Sequence, residues 1–302
     1  MKVLVTGGAG FIGSHLVDEA SEEGYDVVTI DNLNNGKLEN LNKDAKFYKV
    51  DIVDIDNLSL VFEKEKPDYV IHLAAQISLR ESLKNPIYDA EQNILGSINI
   101  LECCRKFNVK KVVYASSAAV YGFPKYLPVD EKHPINPFSP YGVSKHTVEH
   151  YLQYYHENFE IDYIILRYSN VYGERQDPLG EAGVIAIFID KLKKGERPII
   201  FGDGEQTRDF IYAKDVVEAN LLALEKETEN KVFNISTNTE TSVNELFKKI
   251  KEIMNSNINP TYEKPIKEVR NIRLDNSLAE KELNWKPKVE LNEGLKKIAK
   301  EE

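Results

Sequence analysis

Short apolar runs alternate with amphipathic stretches through the first half of the chain. Several of the apolar runs are continuous, which is typical of strands buried on both faces of a parallel sheet. The runs fall at Lys2–Thr6, Asp26–Ile30, Lys46–Val50, Tyr69–Leu73, Lys111–Ala115 and Tyr163–Arg167. The stretches between them predict helices at Phe11–Glu22, Ile55–Lys64, Tyr88–Phe107 and Pro140–Asn158.

This alternation predicts an α/β fold with a doubly wound parallel sheet and right-handed crossovers. After residue 172 the pattern loosens, and Gly, Pro and charged residues become frequent. We therefore expect a larger domain over residues 1–172 and a smaller mixed α/β C-terminal lobe over residues 173–302. A helical stretch at Val216–Glu225 and a strand-like run at Val232–Ser236 indicate that residues 209–238 pack back onto the first domain.

The composition of the chain argues against nucleic acids and membranes as partners. The 302 residues include 39 basic and 49 acidic ones, and a net charge of −10 argues against a broad nucleic-acid-binding face. No apolar run approaches the ~18 residues of a membrane span, and the N-terminus lacks the features of a signal peptide. The two cysteines, Cys103 and Cys104, are neighbours in a helical stretch, so we interpret them as buried thiols of a cytoplasmic protein.

A glycine-rich turn follows the first predicted strand and opens the first predicted helix. Gly7, Gly10 and Gly13 have the spacing that lets a backbone approach a pyrophosphate, and the helix N-terminus adds N–H groups for the phosphates. The next strand-like run ends in Asp31, whose carboxylate is placed to bind ribose hydroxyls and to repel a 2′-phosphate. The pattern predicts a Rossmann-type fold that binds NAD rather than NADP.

A second group of polar residues follows a later strand and starts a later helix. Tyr141 and Lys145 are i and i+4 in the predicted helix, so their side chains point to the same side. A tyrosine that removes a hydroxyl proton near neutral pH needs its pKa lowered from about 10 to about 7, worth roughly 4 kcal/mol. We expect the Lys145 ammonium, the helix terminus and an oxidised nicotinamide ring to lower it. Ser116 and Ser117 end a predicted strand at the ligand-binding edge of the sheet, where Ser117 is placed to bridge the sugar oxygen and Tyr141.

With these motifs the chain resembles the extended short-chain dehydrogenase/reductase family and, within it, the UDP-glucose 4-epimerases. The resemblance runs nearly end to end. It is carried by the glycine turn, Asp31-Asn32-Leu33, Asp51-Ile52, His72-Leu73-Ala74-Ala75, Asn93, the Ser-Ser-Ala-Ala-Val-Tyr-Gly segment from Ser116, the Tyr141-x-x-x-Lys145 pair, Arg167-Tyr168-Ser169-Asn170 and Gly204-Glu205-Gln206-Thr207-Arg208-Asp209-Phe210.

The resemblance implies NAD as the cofactor and assigns roles around it. It implies Tyr141 as the acid/base, Lys145 as its electrostatic partner and ribose ligand, and Ser117 as the group that orients the 4-hydroxyl. The implied cofactor contacts are Gly7, Gly10, Phe11, Ile12, Gly13, Asp31, Asn32, Asn35, Asp51, Ile52, Leu73, Ala74, Ala75, Asn93, Ser116, Tyr141, Lys145 and Tyr168.

The resemblance also implies the reaction, inversion of C4 of a UDP-hexose (UDP-glucose or UDP-galactose) in galactose metabolism. Tyr141 removes the O4 proton while hydride leaves C4 for NAD, the 4-keto sugar turns over, and hydride returns to the other face. Related 4,6-dehydratases carry an Asp-Glu pair just after the position of Ser117, and related decarboxylases carry a Glu there. This chain has Ala118 and Ala119, so plain epimerisation is what remains.

On the substrate side the resemblance points to Ser117, Tyr141, Asn170, Phe201, Arg208, Arg270 and Asp275. Arginines pair bidentately with diphosphate oxygens, and Phe201 is placed to stack on or border the uracil. Ile272 stands where some relatives carry a bulky Tyr that closes the sugar pocket. Our hypothesis is that N-acetylated hexoses are accepted as well.

The sequence leaves two kinds of alternative open. A 4-epimerase of UDP-glucuronate or of a UDP-N-acetylhexosamine would use the same catalytic set with a different pocket. A non-catalytic NAD-sensing protein could share the fold, but such relatives typically lose the Tyr or the Lys, and both are present here.

Two further expectations concern assembly and metals. The predicted helices Tyr88–Phe107 and Pro140–Asn158 resemble those that pair across a two-fold axis in a four-helix interface, so we expect a homodimer. Tyr151, Leu152, Tyr154 and Tyr155 provide apolar and aromatic material for that interface, although packing in the core would use the same residues. The six histidines show no convincing ligand set, and we expect no metal.

Overall fold

A computed structural model describes residues 1–178 and 183–300 of the chain. Its largest element is a parallel sheet of seven strands. In chain order the strands are β1 (Lys2–Thr6), β2 (Asp26–Asp31), β3 (Lys46–Lys49), β4 (Tyr69–His72), β5 (Lys111–Ser117), β6 (Asp162–Tyr168), β7 (Asn170–Tyr172), β8 (Ile199–Phe201), β9 (Thr207–Arg208), β10 (Phe210–Tyr212), β11 (Val232–Ile235), β12 (Thr241–Ser242) and β13 (Thr261–Glu263).

The main sheet has the order β11-β6-β5-β4-β1-β2-β3, and every neighbouring pair is parallel. The chain winds outward from β1 through β2 to β3 and then returns to place β4 on the other side of β1. This reversal between β1 and β4 is the topological switch point at which doubly wound sheets bind ligands. The predicted doubly wound α/β fold is confirmed.

Helices cover both faces of the sheet and continue into the C-terminal part. They are α1 (Phe11–Glu22), α2 (Ile55–Glu65), α3 (Leu79–Lys84), α4 (Pro86–Ala90), α5 (Gly96–Lys106), α6 (Pro140–Phe159), α7 (Val184–Lys193), α8 (Ala213–Glu225), α9 (Val243–Ile253), α10 (Ser277–Glu282) and α11 (Leu291–Ala299). A π-helical turn at Glu91–Leu95 joins α4 to α5. Within the described residues, no helix is both long and apolar enough to cross a membrane.

The predicted elements are all present, with shifts at their ends that have local causes. The helix predicted over Tyr88–Phe107 begins two residues earlier, at Pro86, because the Asn85 side chain accepts a hydrogen bond from the Tyr88 N–H and caps it there. It is also divided into α4 and α5 by the π-helical turn. Strand β5 runs two residues further than predicted, to Ser117, because both serines stay in register with β6.

Apolar side chains form separate cores on the two faces of the sheet. Helices α1 and α8 and the indole of Trp285 fill one face, and helices α2, α5 and α6 fill the other. The Trp285 Nε1–H donates to the Asp215 carbonyl at 2.9 Å, so the buried indole has its polar group satisfied. These two cores explain why the central strands are apolar on both sides.

The C-terminal part has its own core and short mixed strand pairs. Strands β7 and β10 pair in parallel, as do β8 and β13, whereas β9 and β12 are antiparallel. Helices α7, α9 and α11 enclose the apolar cluster of this part. The segment Asn271–Leu274 bridges to β9 and to Val129, which ties the C-terminal part to the edge of the main sheet.

Candidate active site

A cleft of about 710 Å³ opens at the carboxyl ends of β1, β2, β4 and β5. Most of the predicted cofactor residues line it: Gly7, Gly10, Phe11, Ile12, Gly13, Asp31, Asn32, Asn35, Ile52, Leu73, Ala74, Ala75, Ser116, Tyr141, Lys145 and Tyr168. Asp51 and Asn93 lie outside the lining and act on residues within it. The Asn32 side-chain amide donates to Asp51 at 2.9 Å, so Asp51 orients a residue that faces the cleft.

The glycine turn forms the floor of the cleft beneath the start of α1. Gly7 has a φ of +72°, and its N–H donates to the Ile30 carbonyl at 2.8 Å. A Cβ on Gly13 would lie 2.1 Å from the Gly7 carbonyl oxygen, so only glycine allows α1 to approach the turn this closely. Gly10 caps α1 without a side-chain hydrogen bond, which leaves the first N–H groups of the helix for an anion.

Asp31 lies at the end of β2 and is 7% exposed. One carboxylate oxygen accepts from the Ala9 N–H at 3.0 Å and the other from the Leu33 N–H at 2.8 Å. Burial raises the pKa of Asp31, and the two backbone bonds act in the opposite direction. The carboxylate is therefore held rigidly at the rim of the cleft, an arrangement that fits a ribose diol.

Tyr141, Lys145 and Ser117 come together at the inner end of the cleft. Ser139 caps α6 by accepting from the Gly142 N–H at 3.2 Å, which puts Tyr141 in the first helical turn. The Lys145 ammonium donates to the Ala115 carbonyl at 2.8 Å and lies 5.9 Å from the centre of the Tyr141 ring. Ser117 hydrogen-bonds to the Tyr141 side chain. These side chains come from two elements, β5 and α6, as the motifs predicted.

The protein groups alone do not lower the pKa of Tyr141. Burial raises it to about 12, and the hydrogen bond from Ser117 only partly opposes this effect. Burial also lowers the pKa of Lys145 to about 8, because the ammonium loses its hydration, while the negative charges of Asp89 and Glu149 act in the opposite direction. The predicted lowering of the Tyr141 pKa therefore depends on the third expected source, the positive charge of the oxidised nicotinamide ring.

A hydrogen-bonded layer behind the cleft fixes the loop after β4. The Thr6 hydroxyl accepts from the N–H groups of Leu73 at 3.2 Å and Ala74 at 3.1 Å. Asn93, in the π-helical turn, bonds both backbone groups of Gln76, accepting from its N–H at 2.7 Å and donating to its carbonyl at 3.0 Å. Asn93 therefore positions the cleft wall from behind.

A buried ion pair supports the end of β5. Arg167 donates to Glu149 at 2.9 Å and 2.6 Å, and the Ser116 hydroxyl donates to the same carboxylate at 2.6 Å. His146 also contacts Glu149, at 2.9 Å, and lies 3.2 Å from the ring of His150. In the described part of the chain, no three His, Cys, Asp or Glu side chains are grouped to hold a metal ion.

The predicted substrate arginines lie beyond the cleft lining and are bound by acids. Arg208 on β9 forms an ion pair with Glu268 and is mostly buried. Arg270 binds Asp203 through two hydrogen bonds, of 2.6 Å and 2.8 Å, at an exposed position. The two arginines are neighbours through the backbone, because the Thr207 N–H donates to the Arg270 carbonyl at 2.9 Å. The structure thus brings both guanidinium groups to one region but pairs each with a carboxylate.

The other predicted substrate residues surround the same region. Asn170 begins β7 at an exposed position, and Phe201 ends β8. Asp275 follows the segment that bridges to Val129, and its N–H donates to the Val129 carbonyl at 2.8 Å. Ile272 is buried in an apolar cluster with Val120, Tyr121, Val129 and Leu274.

Several residues of the cleft were not predicted from the sequence. Most lie in the segments that follow β2, β4 and β7, and Glu81, Tyr88 and Gln92 lie on α3, α4 and the π-helical turn; the set includes Asn34, Gly36, Lys37, Asn40, Gln76, Ile77, Ser78, Glu81, Tyr88, Gln92, Arg175, Gln176 and Asp177. The only sequence signal for Gln76, Ile77 and Ser78 is their place directly after a predicted strand end, where ligand-binding loops lie.

Comparison with known proteins supplies the family. The profile of the NAD dependent epimerase/dehydratase family matches residues 3–236. A UDP-glucose 4-epimerase from Mycolicibacterium smegmatis is 43% identical over 304 residues, which cover 98% of this chain and 97% of that protein. The crystal structure of UDP-glucose 4-epimerase from Thermotoga maritima with UDP-glucose is 49% identical, with a TM-score of 0.97, and covers 99% of this chain and 97% of its own. The structure of UDP-N-acetylglucosamine 4-epimerase from Methanobrevibacter ruminantium, in complex with UDP-N-acetylmuramic acid, is 38% identical and has a TM-score of 0.94. The match covers 99% of this chain and 97% of that one.

The family profile includes both the glycine turn and the helix that carries Tyr141 and Lys145. The structural likeness extends over nearly the whole chain and includes the C-terminal part that the profile does not reach. The resemblance inferred from the motifs is confirmed. This chain belongs to the NAD dependent epimerase/dehydratase family.

Proposed function

We propose that this enzyme is a UDP-glucose 4-epimerase that uses NAD. The observation that carries the proposal is the likeness, over nearly the full length of both chains, to a UDP-glucose 4-epimerase structure that contains UDP-glucose. The site supports it, because Tyr141, Lys145 and Ser117 meet at the cleft and Ala118 and Ala119 follow in place of carboxylates.

The residues of the cleft have separate roles in the proposed reaction. NAD, when bound, supplies the acceptor for the C4 hydride and the positive charge of its oxidised ring. Tyr141 takes the O4 proton and later returns it, and Ser117 orients the 4-hydroxyl towards the Tyr141 oxygen. Lys145 holds a positive charge beside the phenol. The glycine turn and Asp31 hold the pyrophosphate and the ribose.

The UDP moiety is proposed to bind at Asn170, Phe201, Arg208, Arg270 and Asp275. Arg208 is paired with Glu268, and Arg270 is paired with Asp203. A bound diphosphate must therefore displace these carboxylates or share the guanidinium groups with them. The predicted division of labour follows: residues 1–172 with 209–238 bind the cofactor, and the rest of residues 173–302 bind the UDP-sugar. Strand β11 and helix α8 support this division, since they pack on β6 and α1.

The proposal is tested by incubating the purified enzyme with UDP-glucose and no added NAD, and by following UDP-galactose by chromatography. We expect conversion to an equilibrium mixture, because hydride returns to the sugar and no external oxidant is consumed. If NAD is shown to be bound and no UDP-galactose forms, UDP-glucose is not the substrate.

A UDP-N-acetylhexosamine is the second candidate substrate. The observation that favours it is the likeness to a UDP-N-acetylglucosamine 4-epimerase along nearly the whole chain. Turnover of UDP-N-acetylglucosamine at a rate comparable with that of UDP-glucose supports the wider specificity. Undetectable turnover under conditions that convert UDP-glucose rules it out.

Gly13→Ala is expected to weaken NAD binding at least about tenfold, a change worth ~1.4 kcal/mol. The added Cβ would lie 2.1 Å from the Gly7 carbonyl oxygen, so the glycine turn or α1 must move out of its binding position. Gly10→Ala is the graded control, because its Cβ would lie 3.1 Å from the same oxygen. NAD released on denaturation is measured for each purified variant; equal NAD content in Gly13→Ala and wild type contradicts the assignment of the turn.

The enzyme is proposed to form a homodimer through the face that carries α4, α5 and α6. Large apolar side chains are exposed on α3, α4, the π-helical turn and α6: Leu83, Ile87, Leu95, Val143, Tyr154 and Phe159. Leu152 and Tyr155, which were also predicted to contribute, are instead buried in the core between α6 and the sheet. An isolated exposed Leu is ordinary, but several large apolar side chains exposed on helices that pack against one another favour an interface.

Leu95→Glu is expected to convert the dimer to a monomer, because it places a charge in the apolar patch. Leu95 is 54% exposed, and Leu60→Glu on α2 is a matched control at a Leu that is 61% exposed. Light scattering coupled to gel filtration measures the mass of each variant. A monomeric wild type, or a dimer that survives Leu95→Glu, contradicts this interface.

The enzyme is further proposed to work in the cytoplasm. Cys103 and Cys104 are both free and buried, which is typical of a protein from a reducing compartment. Recovery of the native enzyme outside the cytoplasm in cell fractionation would contradict this location.

A further inference from the structure

Asp89 is a buried acid beside the active site that the proposed reaction does not use. It lies on α4 and is 1% exposed. One carboxylate oxygen accepts from the Gln76 side-chain amide at 2.9 Å and from the Asn93 amide at 3.1 Å. No Lys, Arg or His of the described residues forms an ion pair with it. A carboxylate that is buried in this way, without a contacting cation, is costly and calls for a physical reason.

The hydrogen-bond partners of Asp89 join three parts of the site. Gln76 is in the loop after β4 and lines the cleft, and Asn93 is in the π-helical turn. Ser144, on α6 between Tyr141 and Lys145, accepts from the Asn93 amide at 3.2 Å, donates to the Tyr141 carbonyl at 3.0 Å and lies beside Asp89. A π-helical turn is a common device at functional sites. Asp89 is thus the common acceptor for the cleft wall and the turn, and the Asn93 amide links it to Ser144 on the catalytic helix.

Charge links Asp89 to the catalytic lysine. Burial raises the pKa of Asp89, while Ser144, Gln76 and the positive charge of Lys145 act in the opposite direction. In return, the Asp89 charge favours the protonated form of Lys145. The titratable groups around Lys145 are Asp89 on α4, Tyr141 and Glu149 on α6, Tyr114 on β5 and His72 on β4.

The two acids near Lys145, Asp89 and Glu149, differ in whether another cation already neutralises their charge. Glu149 is already neutralised by Arg167, which binds it through two hydrogen bonds. Asp89 has only neutral hydrogen-bond donors, so its charge is not cancelled by a second cation. Lys145 itself is 3% exposed and contacts a backbone carbonyl rather than a carboxylate. Its positive charge is therefore favoured by an acid with which it makes no direct ion pair.

We infer that Asp89 is a positioning residue that keeps Lys145 positively charged and holds the loop after β4 and the start of α6 in place. This inference rests on the proposed function, because it concerns the pair that performs the acid/base step. The charge and the hydrogen bonds of Asp89 are separable, since an Asn at this position keeps one accepting oxygen while it removes the charge.

The test compares Asp89→Asn with Asp89→Ala in the full-length enzyme. Lysines are labelled with ¹³C at Cε, and the Lys145 signal is identified by its absence from a Lys145→Met variant. We expect Asp89→Asn to lower the pKa of Lys145 by about 1, as removal of a nearby opposite charge does. As pH rises through that pKa the ammonium is lost, so the alkaline limb of the kcat profile moves to lower pH by the same amount.

Asp89→Ala removes the hydrogen bonds as well, and we expect it to lower kcat further and to weaken NAD retention. A Lys145 pKa and an alkaline limb that are unchanged in Asp89→Asn, together with a loss of activity in Asp89→Ala, would show that Asp89 is only a hydrogen-bond acceptor and would overturn the inference. The NMR titration needs no substrate. A wild type that converts no UDP-sugar defeats the proposed function, whereas an unchanged Lys145 signal defeats the role of Asp89.

Discussion

Tyr141→Phe is expected to reduce turnover of UDP-glucose about 10³-fold, the range over which a positioned acid/base contributes. The substitution removes only the hydroxyl that takes the O4 proton. The aromatic ring remains, so its packing beside Lys145 in the first turn of α6 is retained. Thermal unfolding and NAD content should therefore match those of wild type while kcat falls.

The environment of the phenol explains why the reaction depends on positive charge near Tyr141. With the pKa of Tyr141 raised to about 12, only ~10⁻⁵ of the phenol would be ionised at pH 7. A positive charge in the cleft must therefore act on Tyr141 during the reaction, and Lys145 and the oxidised ring of bound NAD are the available sources. Without the hydroxyl, neither source has a group to act on.

Tyr114→Phe is the matched control for Tyr141→Phe. Tyr114 is a second buried tyrosine, 5.0 Å from the Lys145 ammonium measured to its ring centre. Within the described residues its hydroxyl has no hydrogen-bond partner, so its removal should cost neither activity nor stability. If Tyr141→Phe keeps more than a tenth of wild-type kcat, another residue is the acid/base; if both variants lose activity equally, the loss has a structural cause.

The main sheet could be predicted well because each of its strands is encoded in a short stretch of neighbouring residues. A strand buried on both faces must be apolar throughout, and several of the runs between β1 and β6 were visible as short continuous stretches, the edge strand β3 being the exception. The cofactor motifs were equally local, since Gly7 and Asp31 lie at the ends of the first two strands and Gly13 lies in the first turn of α1. In a parallel sheet these ends meet at one edge, so their position in space followed from the fold class.

The electrostatics of the site could not be predicted in the same way. The direction of the Tyr141 shift depends on burial, which arises from β5, α4 and α6 packing together. Asp89 looks like a solvated helix residue in the sequence, yet it is buried against residues from three segments. Such contacts join residues far apart in the chain, and no periodicity reports them.

The ion-pair partners of the predicted substrate arginines also could not be predicted from the sequence. Arg208 and Arg270 were predicted as ligands of a diphosphate, and the structure places them close together. Their pairing with Glu268 and Asp203 was not predicted, because both partners are ordinary acids in an acidic chain. A guanidinium that awaits an anion is commonly held by a carboxylate, and only the folded chain shows which one.

The buried pair of Glu149 and Arg167 is expected to matter more for stability than any surface ion pair of this enzyme. Both side chains are almost inaccessible, at 5% and 6% exposure. Burial disfavours the ionised carboxylate, but the hydrogen bonds from Arg167, His146 and Ser116 outweigh this and lower the pKa of Glu149 to about 2. Arg167 in turn donates to the Tyr121 hydroxyl at 3.0 Å, so the pair anchors a wider network.

Glu149→Ala is expected to lower the free energy of unfolding by about 3–5 kcal/mol, because it leaves the Arg167 guanidinium buried without a counter-ion. Arg167→Met is the companion variant, and the double variant completes the cycle. Since no charge stays buried in the double variant, we expect it to be more stable than Glu149→Ala alone. Chemical unfolding of the four proteins measures these differences, and a double variant that loses the sum of both single losses would contradict a paired role.

The pH dependence of stability distinguishes this pair from a simple packing effect. The folded pKa of Glu149, about 2, lies below the value of about 4.3 for an unfolded Glu, so the folded state binds fewer protons between these values. The stabilisation is therefore complete above about pH 4.5 and is lost as pH falls towards 2. The difference in unfolding free energy between wild type and the double variant should shrink over this range and stay constant above it. A difference that does not change between pH 6 and pH 3 would show that Glu149 contributes through its volume rather than through its charge.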